Sequence, residues 1–495
     1  MSELDRRLIR ITPSPRQLRL QEMEFYAFVH FTVNTFTDRE WGDGTENPAI
    51  FNPTGMNADQ WVEAIKASGM KGLILTCKHH DGFCLWPSKH TDHTIAASPY
   101  KDGKGDIVGE VAAACQRGGI GFGVYLSPWD RNQPLYGTGK PYDDYFVAQL
   151  TELLTQYGEV FSVWFDGACG EGPNGKKQYY DWERYYATIR RLQPNACIHV
   201  CGPDIRWCGN EAGDTRESEW SVVPRRTADT EKVASASQQA DDTAFRQRTI
   251  RAQDRDLGSR SVLRDETDLI WYPAEVNTSI RPGWFWHESE NDQVRPLEKL
   301  IDIYEKSVGG NASFLLNIPP TREGLFHEND VARLRELGEY LRTSYGANLA
   351  DSAMLTASSA APGHGIGCAR TADEAYYLPA TQNGTAEIFL RWDAPQTIRR
   401  VVLMEQLLCS QRVERFAIDA EVNGAWQRGD GHGHRAQADC GAGGCNNRRA
   451  AHPHSGCKGR ANATVYRGVR IKMEGRFPRL GRKERPFSVA LYCAA

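Results

Sequence analysis

Four short strings in this chain crowd carboxylates, imidazoles and indoles into a few positions each. They are Phe-Val-His-Phe-Thr-Val-Asn-Thr-Phe (28–36) running into Asp-Arg-Glu-Trp-Gly-Asp-Gly (38–44), Cys-Lys-His-His-Asp-Gly-Phe-Cys-Leu-Trp (77–86), Val-Tyr-Leu-Ser-Pro-Trp (124–129) and Val-Trp-Phe-Asp-Gly (163–167). Each places its polar residues where an apolar, β-prone run gives way to a loop. The mixture suits a sugar, whose ring faces pack on indoles and whose hydroxyls need a dense set of hydrogen-bond partners. A lone Asp at a strand end is more often a turn cap than a nucleophile. For Asp166 the flanking Trp164 and Gly167 favour the chemical reading. The His79–His80 pair suggests a metal, but successive strand residues face opposite sides, so a regular strand would not aim both at one ion. No metal ligand is assigned and no cofactor is expected.

The elements that must carry these strings alternate short apolar runs with amphipathic stretches from residue 25 to about 319. Eight candidate strands are read at 25–31, 72–77, 121–127, 160–166, 196–200, 269–275, 283–286 and 313–318. Helix-like segments separate them, such as one capped by Asn57 with Trp61 and Ile65 at helical spacing, and one opened by Asp106. The pattern predicts an α/β fold with a (β/α)8-like catalytic barrel over 1–345. The polar stretch between Val200 and Leu269 reads as a large loop or irregular helices at the barrel mouth.

Beyond the boundary, residues 346–495 carry alternating runs at 386–392, 397–404 and 415–422, which predict a C-terminal antiparallel β-sandwich as an accessory domain. An atypical Gly/Arg/His/Cys-rich segment near 427–462 interrupts them before 464–473 again reads as a strand. It contains His432, His434, Cys440, Cys445, His452, His454 and Cys457, with four and eleven residues between successive cysteines. Zinc sites use tighter pairs. A loosely packed loop and a local reading-frame shift are the alternatives.

A formal net charge of −4 and a pI near 6.4 offer no footprint for nucleic acid or an anionic membrane surface. Of the thirteen cysteines, Cys77, Cys84, Cys115, Cys169, Cys197, Cys201 and Cys208 are scattered through apolar segments, which fits buried free thiols. The first residues lack the apolar run of a signal peptide, so the chain as written reads as cytoplasmic; an exported chain whose signal had been removed would read the same. The sequence gives no oligomeric state.

Together the strings resemble glycoside hydrolase family 29, the α-L-fucosidases, over roughly residues 20–345. Asp-Arg-Glu-Trp-Gly-Asp-Gly and Gly-Asn-Glu-Ala-Gly (209–213) resemble the subgroup acting on α-1,3 and α-1,4 fucosyl branches. The resemblance implies a retaining mechanism through a covalent fucosyl-enzyme on a fucosylated glycan, which needs two carboxyls about 5 Å apart. It implies Asp166 as nucleophile and Glu211 as acid/base, with Glu217 and Glu219 as rivals. His30, His79 and His80, with Tyr125 beside them, match positions that bind fucose hydroxyls. Glu40 and Trp41 would reach in from the first loop, while Trp164 and Trp284 would pack on the sugar. Trp284 could equally be a core residue. Arg206 could steady a carboxylate or lie on the surface. The rival readings are a barrel glycosidase for another sugar and a non-catalytic carbohydrate-binding protein.

Overall fold

The structure is a computed structural model describing residues 2–251, 254–370, 376–380, 385–398, 400–422, 425–431, 437–439, 465–475 and 489–494. Ten strands build the part that carries the site: β1 (Phe25–Val29), β2 (Gly72–Lys78), β3 (Gly121–Leu126), β4 (Ser162–Phe165), β5 (Cys197–Val200), β6 (Arg206–Trp207), β7 (Val222–Pro224), β8 (Leu269–Trp271), β9 (Ala274–Ser279) and β10 (Ala312–Asn317). Eight of them form one parallel sheet in the order β5-β4-β3-β2-β1-β10-β9-β6. A parallel bridge between His199 and Ile205 links its two ends, so the sheet nearly closes into a barrel.

Helices pack outside for reasons visible in their sequences. Asn57 caps Ala58–Ala67 through the Gln60 amide, and Trp61 and Ile65 fall on its buried face. Asp106 caps Ile107–Gly118, which stops at Gly119 in the left-handed region, where glycine carries no Cβ penalty.

Two expectations about the strands change. Residues 283–286 form a loop, not a strand. The sixth expected strand divides: β8 leaves the barrel to pair antiparallel with β7, and β9 takes the barrel position. The missing eighth strand is β6, inside the stretch expected to be loop. It is two residues long and follows β5 without a crossover helix, so no periodicity announces it.

Two charges are buried against each other outside the barrel sheet. Arg281 Nε donates to both oxygens of Asp330 at 3.1 and 2.9 Å, and both side chains are fully buried. Removing one partner of such a pair strands a charge in low dielectric. Asp330→Ala should therefore cost about 3–5 kcal/mol in denaturant unfolding. The double replacement Arg281→Met with Asp330→Leu should recover much of that loss; a single variant of wild-type stability would refute the argument.

The apolar core of the barrel runs from Leu20 to Leu337, and a separate one runs from Ala350 to Met473. The second lies between antiparallel sheets of five and three strands, the accessory sandwich the alternation predicts. Of the Gly/Arg/His/Cys-rich segment, the described residues pair as strands: Ala425–Gly431 with Val413–Val422, and Gln437–Asp439 with Arg400–Glu405. Backbone pairing, which apolar periodicity does not report, holds these pieces. His432, His434, Cys440, Cys445, His452, His454 and Cys457 lie outside the described residues, so the zinc question falls there too. Among the described residues nine cysteines are free, seven of them buried. No helix among the described residues is long and apolar enough to cross a membrane.

Candidate active site

A cleft opens at the C-terminal ends of the barrel strands, where barrel enzymes gather their reactive groups. His30 follows β1, His79 and His80 follow β2, Asp166 follows β4, and Trp207 ends β6; all five line it. Glu211, Trp164, Glu40, Trp41 and Trp284 complete the walls that the sequence predicted. The open space is about 580 Å³, a scale at which a small ligand is largely enclosed.

Asp166 is positioned by two donors. Tyr125 Oη donates to Oδ2 at 3.0 Å, and the Ala168 amide donates to Oδ1 at 2.9 Å. Burial, with Asp166 beside it, pushes the Tyr125 phenol well above its usual range, so it stays a donor. Tyr125 is fully buried and reaches the cleft only through Asp166. Its partner is that carboxylate, where the sequence suggested a sugar. Gly167 is required by packing: a Cβ there would meet Ser237 Oγ at 2.0 Å.

The three histidines are neutral and differently wired. Burial lowers His30 to about 3 and His80 to about 4, and drives His79 well below its ordinary value. Asn317 gives its Nδ2 to the Trp284 carbonyl and Ser279, so its Oδ1 accepts from His30 Nδ1 at 2.9 Å. Ser127 donates to the Trp129 carbonyl and accepts from His80 Nδ1 at 2.7 Å. Both rings therefore carry an unprotonated Nε2. His79 Nδ1 faces the Asn34 amide nitrogen, a donor, at 3.4 Å, which leaves its proton on Nε2.

The strand-alternation argument about His79 and His80 fails because both lie past the end of β2, in a turn. Their ring centroids are 4.1 Å apart and both line the cleft. No group of three or more potential metal ligands occurs among the described residues.

Glu211 is the cleft carboxyl shifted towards its protonated form. Burial raises its carboxyl to about 7, the Trp284 indole donating at 3.1 Å opposes this, and the charge of Asp166 adds to it. Its rivals are placed elsewhere. Glu217 is exposed. Glu219 is fully buried but bonded to Arg206 at 2.7 Å and Arg216 at 3.2 Å. Burial works against its charged form, yet the two guanidinium charges outweigh it and hold the carboxyl below its ordinary value. Arg206 thus steadies a carboxylate, but that of Glu219 and not one in the cleft, and it does not line the cleft.

Glu40 anchors the loop carrying Trp284. It accepts from the amides of Trp284 and Phe285 at 2.8 and 3.0 Å and from His287 Nε2 at 2.9 Å. The Glu40 hydrogen bond raises His287 to about 9 despite its burial, and Asp38 takes its other nitrogen. Trp284 is therefore a cleft residue held from its backbone, and it also packs against the edge of the barrel core.

A family model described as alpha-L-fucosidase matches residues 16–346. The chain belongs to the alpha-L-fucosidase family. It is a glycoside hydrolase, and a fucosylated glycan is its substrate class. Alpha-L-fucosidase 1 of Arabidopsis thaliana is 40% identical over 427 residues, covering 84% of this chain and 78% of that one. A crystal structure of a putative alpha-L-fucosidase from Bacteroides ovatus superposes with a TM-score of 0.79 at 39% identity, covering 100% of this chain and 76% of that one. A Ruminococcus gnavus fucosidase solved in complex with fucose superposes with a TM-score of 0.78 at 26% identity, covering 98% of this chain and 95% of that one.

Among the residues of the fucosidase cleft that escape a reading of the sequence are Trp207, Ser237, Gln238 and Asn277. Trp207 donates its indole N–H to Asn277 Oδ1 at 2.9 Å, tying β6 to β9. Both sit on strands whose limits the pattern misplaces. Ser237 and Gln238 come from the irregular polar stretch, where no spacing marks them. His287 had a signal, an imidazole directly after the aromatic run 284–286.

Proposed function

We propose that this fucosidase is a retaining exo-enzyme with Asp166 as nucleophile and Glu211 as acid/base, selective for α-1,3 and α-1,4 fucosyl branches. The observation that carries it is the contrast between the two carboxyls. One is held in place at a strand end by the Tyr125 hydroxyl and the Ala168 amide, and the other is raised to about 7 by burial, with the charge of the first adding to the shift. In the first step an Asp166 oxygen attacks the anomeric carbon. The glycosidic C–O bond breaks, and the Glu211 proton passes to the leaving oxygen. In the second, the Glu211 carboxylate takes a proton from water as that water attacks the same carbon and releases Asp166.

The neutral histidines suit hydroxyl recognition: Nε2 of His30 and His80 accept, and Nε2–H of His79 donates. Trp41, Trp164 and Trp284 offer apolar faces for the ring and its methyl group.

The linkage reading rests on the strings at 38–44 and 209–213. It predicts that free L-fucose appears from Lewis a and Lewis x trisaccharides on the order of 10- to 100-fold faster than from 2'-fucosyllactose, within the range pocket contacts provide. Chromatography of products over time decides it, and the reverse order would reject the linkage assignment.

A further inference from the structure

A second cavity adjoins the catalytic cleft and shares Trp207 and Ser237 with it; its open space is about 1400 Å³. Six cationic side chains line it, Arg206, Arg216, Arg226, Lys232, Arg248 and Arg251, against one carboxylate, Asp254. Pairing does not cancel the excess. Arg226 bonds Glu266 and Lys232 bonds Asp229. The single charge of Glu219 is divided between Arg206 and Arg216. The guanidinium of Arg248 lies 3.9 Å from the Phe245 ring centroid and 5.3 Å from that of Trp207, with Nη2 given to the Ala236 carbonyl. Those contacts fix the group without neutralising it.

Arg206 adds a buried positive charge to the cavity wall. It is 4% exposed, and its Nη1 has no hydrogen-bond partner among the described residues, although Nε and Nη2 are fully used. Nη1 is itself shielded from open space, so Arg206 contributes its charge and not a direct hydrogen bond to an occupant.

The cavity also borders the part of the cleft that holds Glu211. Arg206 and Trp207 lead within a few residues to Glu211, and Arg248 lies within Coulombic reach of that carboxyl. A general acid stands beside the leaving oxygen, so the leaving sugar passes Glu211 and meets the wall formed by Trp207.

We propose that this basic cavity receives an anionic group, a sulfate ester or a carboxylate, carried by the glycan from which fucose is released. The inference rests on Glu211 being the acid. It goes beyond linkage, because it concerns a charge on the leaving glycan and not the bond that is cut.

The test compares kcat/KM for fucosylated oligosaccharides in neutral, sulfated and sialylated forms, each prepared with α-1,3/1,4 and with α-1,2 fucose, at low and high salt. On whichever linkage is cleaved, at least one anionic form should exceed its neutral parent by about fivefold or more, the advantage shrinking as salt screens it. The sulfated and sialylated arms tell the two anions apart. In the Arg248→Gln/Arg251→Gln double variant the ratio should fall towards one. Hydrolysis of nitrophenyl fucoside, which has no sugar to place in the cavity, should stay within about twofold of wild type and reports that the fold and cleft are intact. Equal rates for charged and neutral substrates, or an advantage that survives the double variant, would overturn the proposal. Cleavage of α-1,2 substrates alone would reject the linkage reading and leave the anion-to-neutral ratio to be read there. Loss of the leaving-group dependence expected of Glu211 would reject the acid assignment separately.

Discussion

Replacing Asp166 with alanine should lower turnover on every fucoside by roughly 10³-fold or more, because the proposed mechanism makes its carboxylate the group that bonds to the anomeric carbon. The protein should remain folded. Asp166 is partly exposed at a strand end, and its removal leaves the Tyr125 hydroxyl and the Ala168 amide beside open space that water can enter. Circular dichroism and an unchanged unfolding midpoint would establish that. Azide should fit the vacated space and attack the anomeric carbon in place of the carboxylate, restoring part of the rate with an activated aryl fucoside. It would give a fucosyl azide of inverted configuration, because only one displacement then occurs. Near-normal turnover in a pure preparation of the alanine variant would remove Asp166 from the mechanism.

Replacing Glu211 should have the second largest effect, and its size should depend on the leaving group. A natural trisaccharide needs a proton on its departing oxygen, whereas nitrophenolate or fluoride leaves without one. Glu211→Ala should therefore depress trisaccharide hydrolysis by on the order of 10²- to 10⁴-fold, while aryl release in the first turnover stays fast. Water activation would still suffer, giving a burst followed by a slow steady state. Azide should accelerate that second phase and yield a product of retained configuration, since two displacements then occur.

The pH dependence has a definite sign. Glu211 must be protonated to act, and burial raises its carboxyl to about 7. Its protonated fraction thus falls as pH rises through that value, placing the alkaline limb of kcat/KM near pH 7. Glu211→Gln should abolish that limb. Glu219→Ala should behave differently, leaving two buried guanidinium groups without their shared counter-ion at a cost of about 3–5 kcal/mol. Both donor types would then be affected alike. If Glu219 or Glu217 showed the leaving-group dependence instead, the acid/base role would move there.

The sequence by itself determined the architecture and most of the cleft. Barrel strands buried on both faces read as apolar runs, and cleft-lining residues sit where those runs end, so His30, His79, His80, Asp166 and Trp164 are marked by position as well as by type. Asn57 and Asp106 announce helices because capping is a local event that a few residues decide. What escaped was non-local. Only the closing of the sheet defines β6, since two residues have no period. The pairing of β7 with β8, not their composition, removes residues 269–271 from the barrel. The His79–His80 pair shows the same limit: alternation holds within a strand, and one residue past its end both rings turn to the same cleft. Glu211, Glu217 and Glu219 are carboxylates within nine positions of one another and indistinguishable by type. Tertiary structure separates them by giving Glu219 two arginines, placing Glu217 at the surface, and burying Glu211 beside Asp166 and Trp284. A carboxyl's protonation is set by the dielectric and charges around it, and those are supplied by residues as distant in sequence as Asp166 and Trp284, which only the fold brings to Glu211.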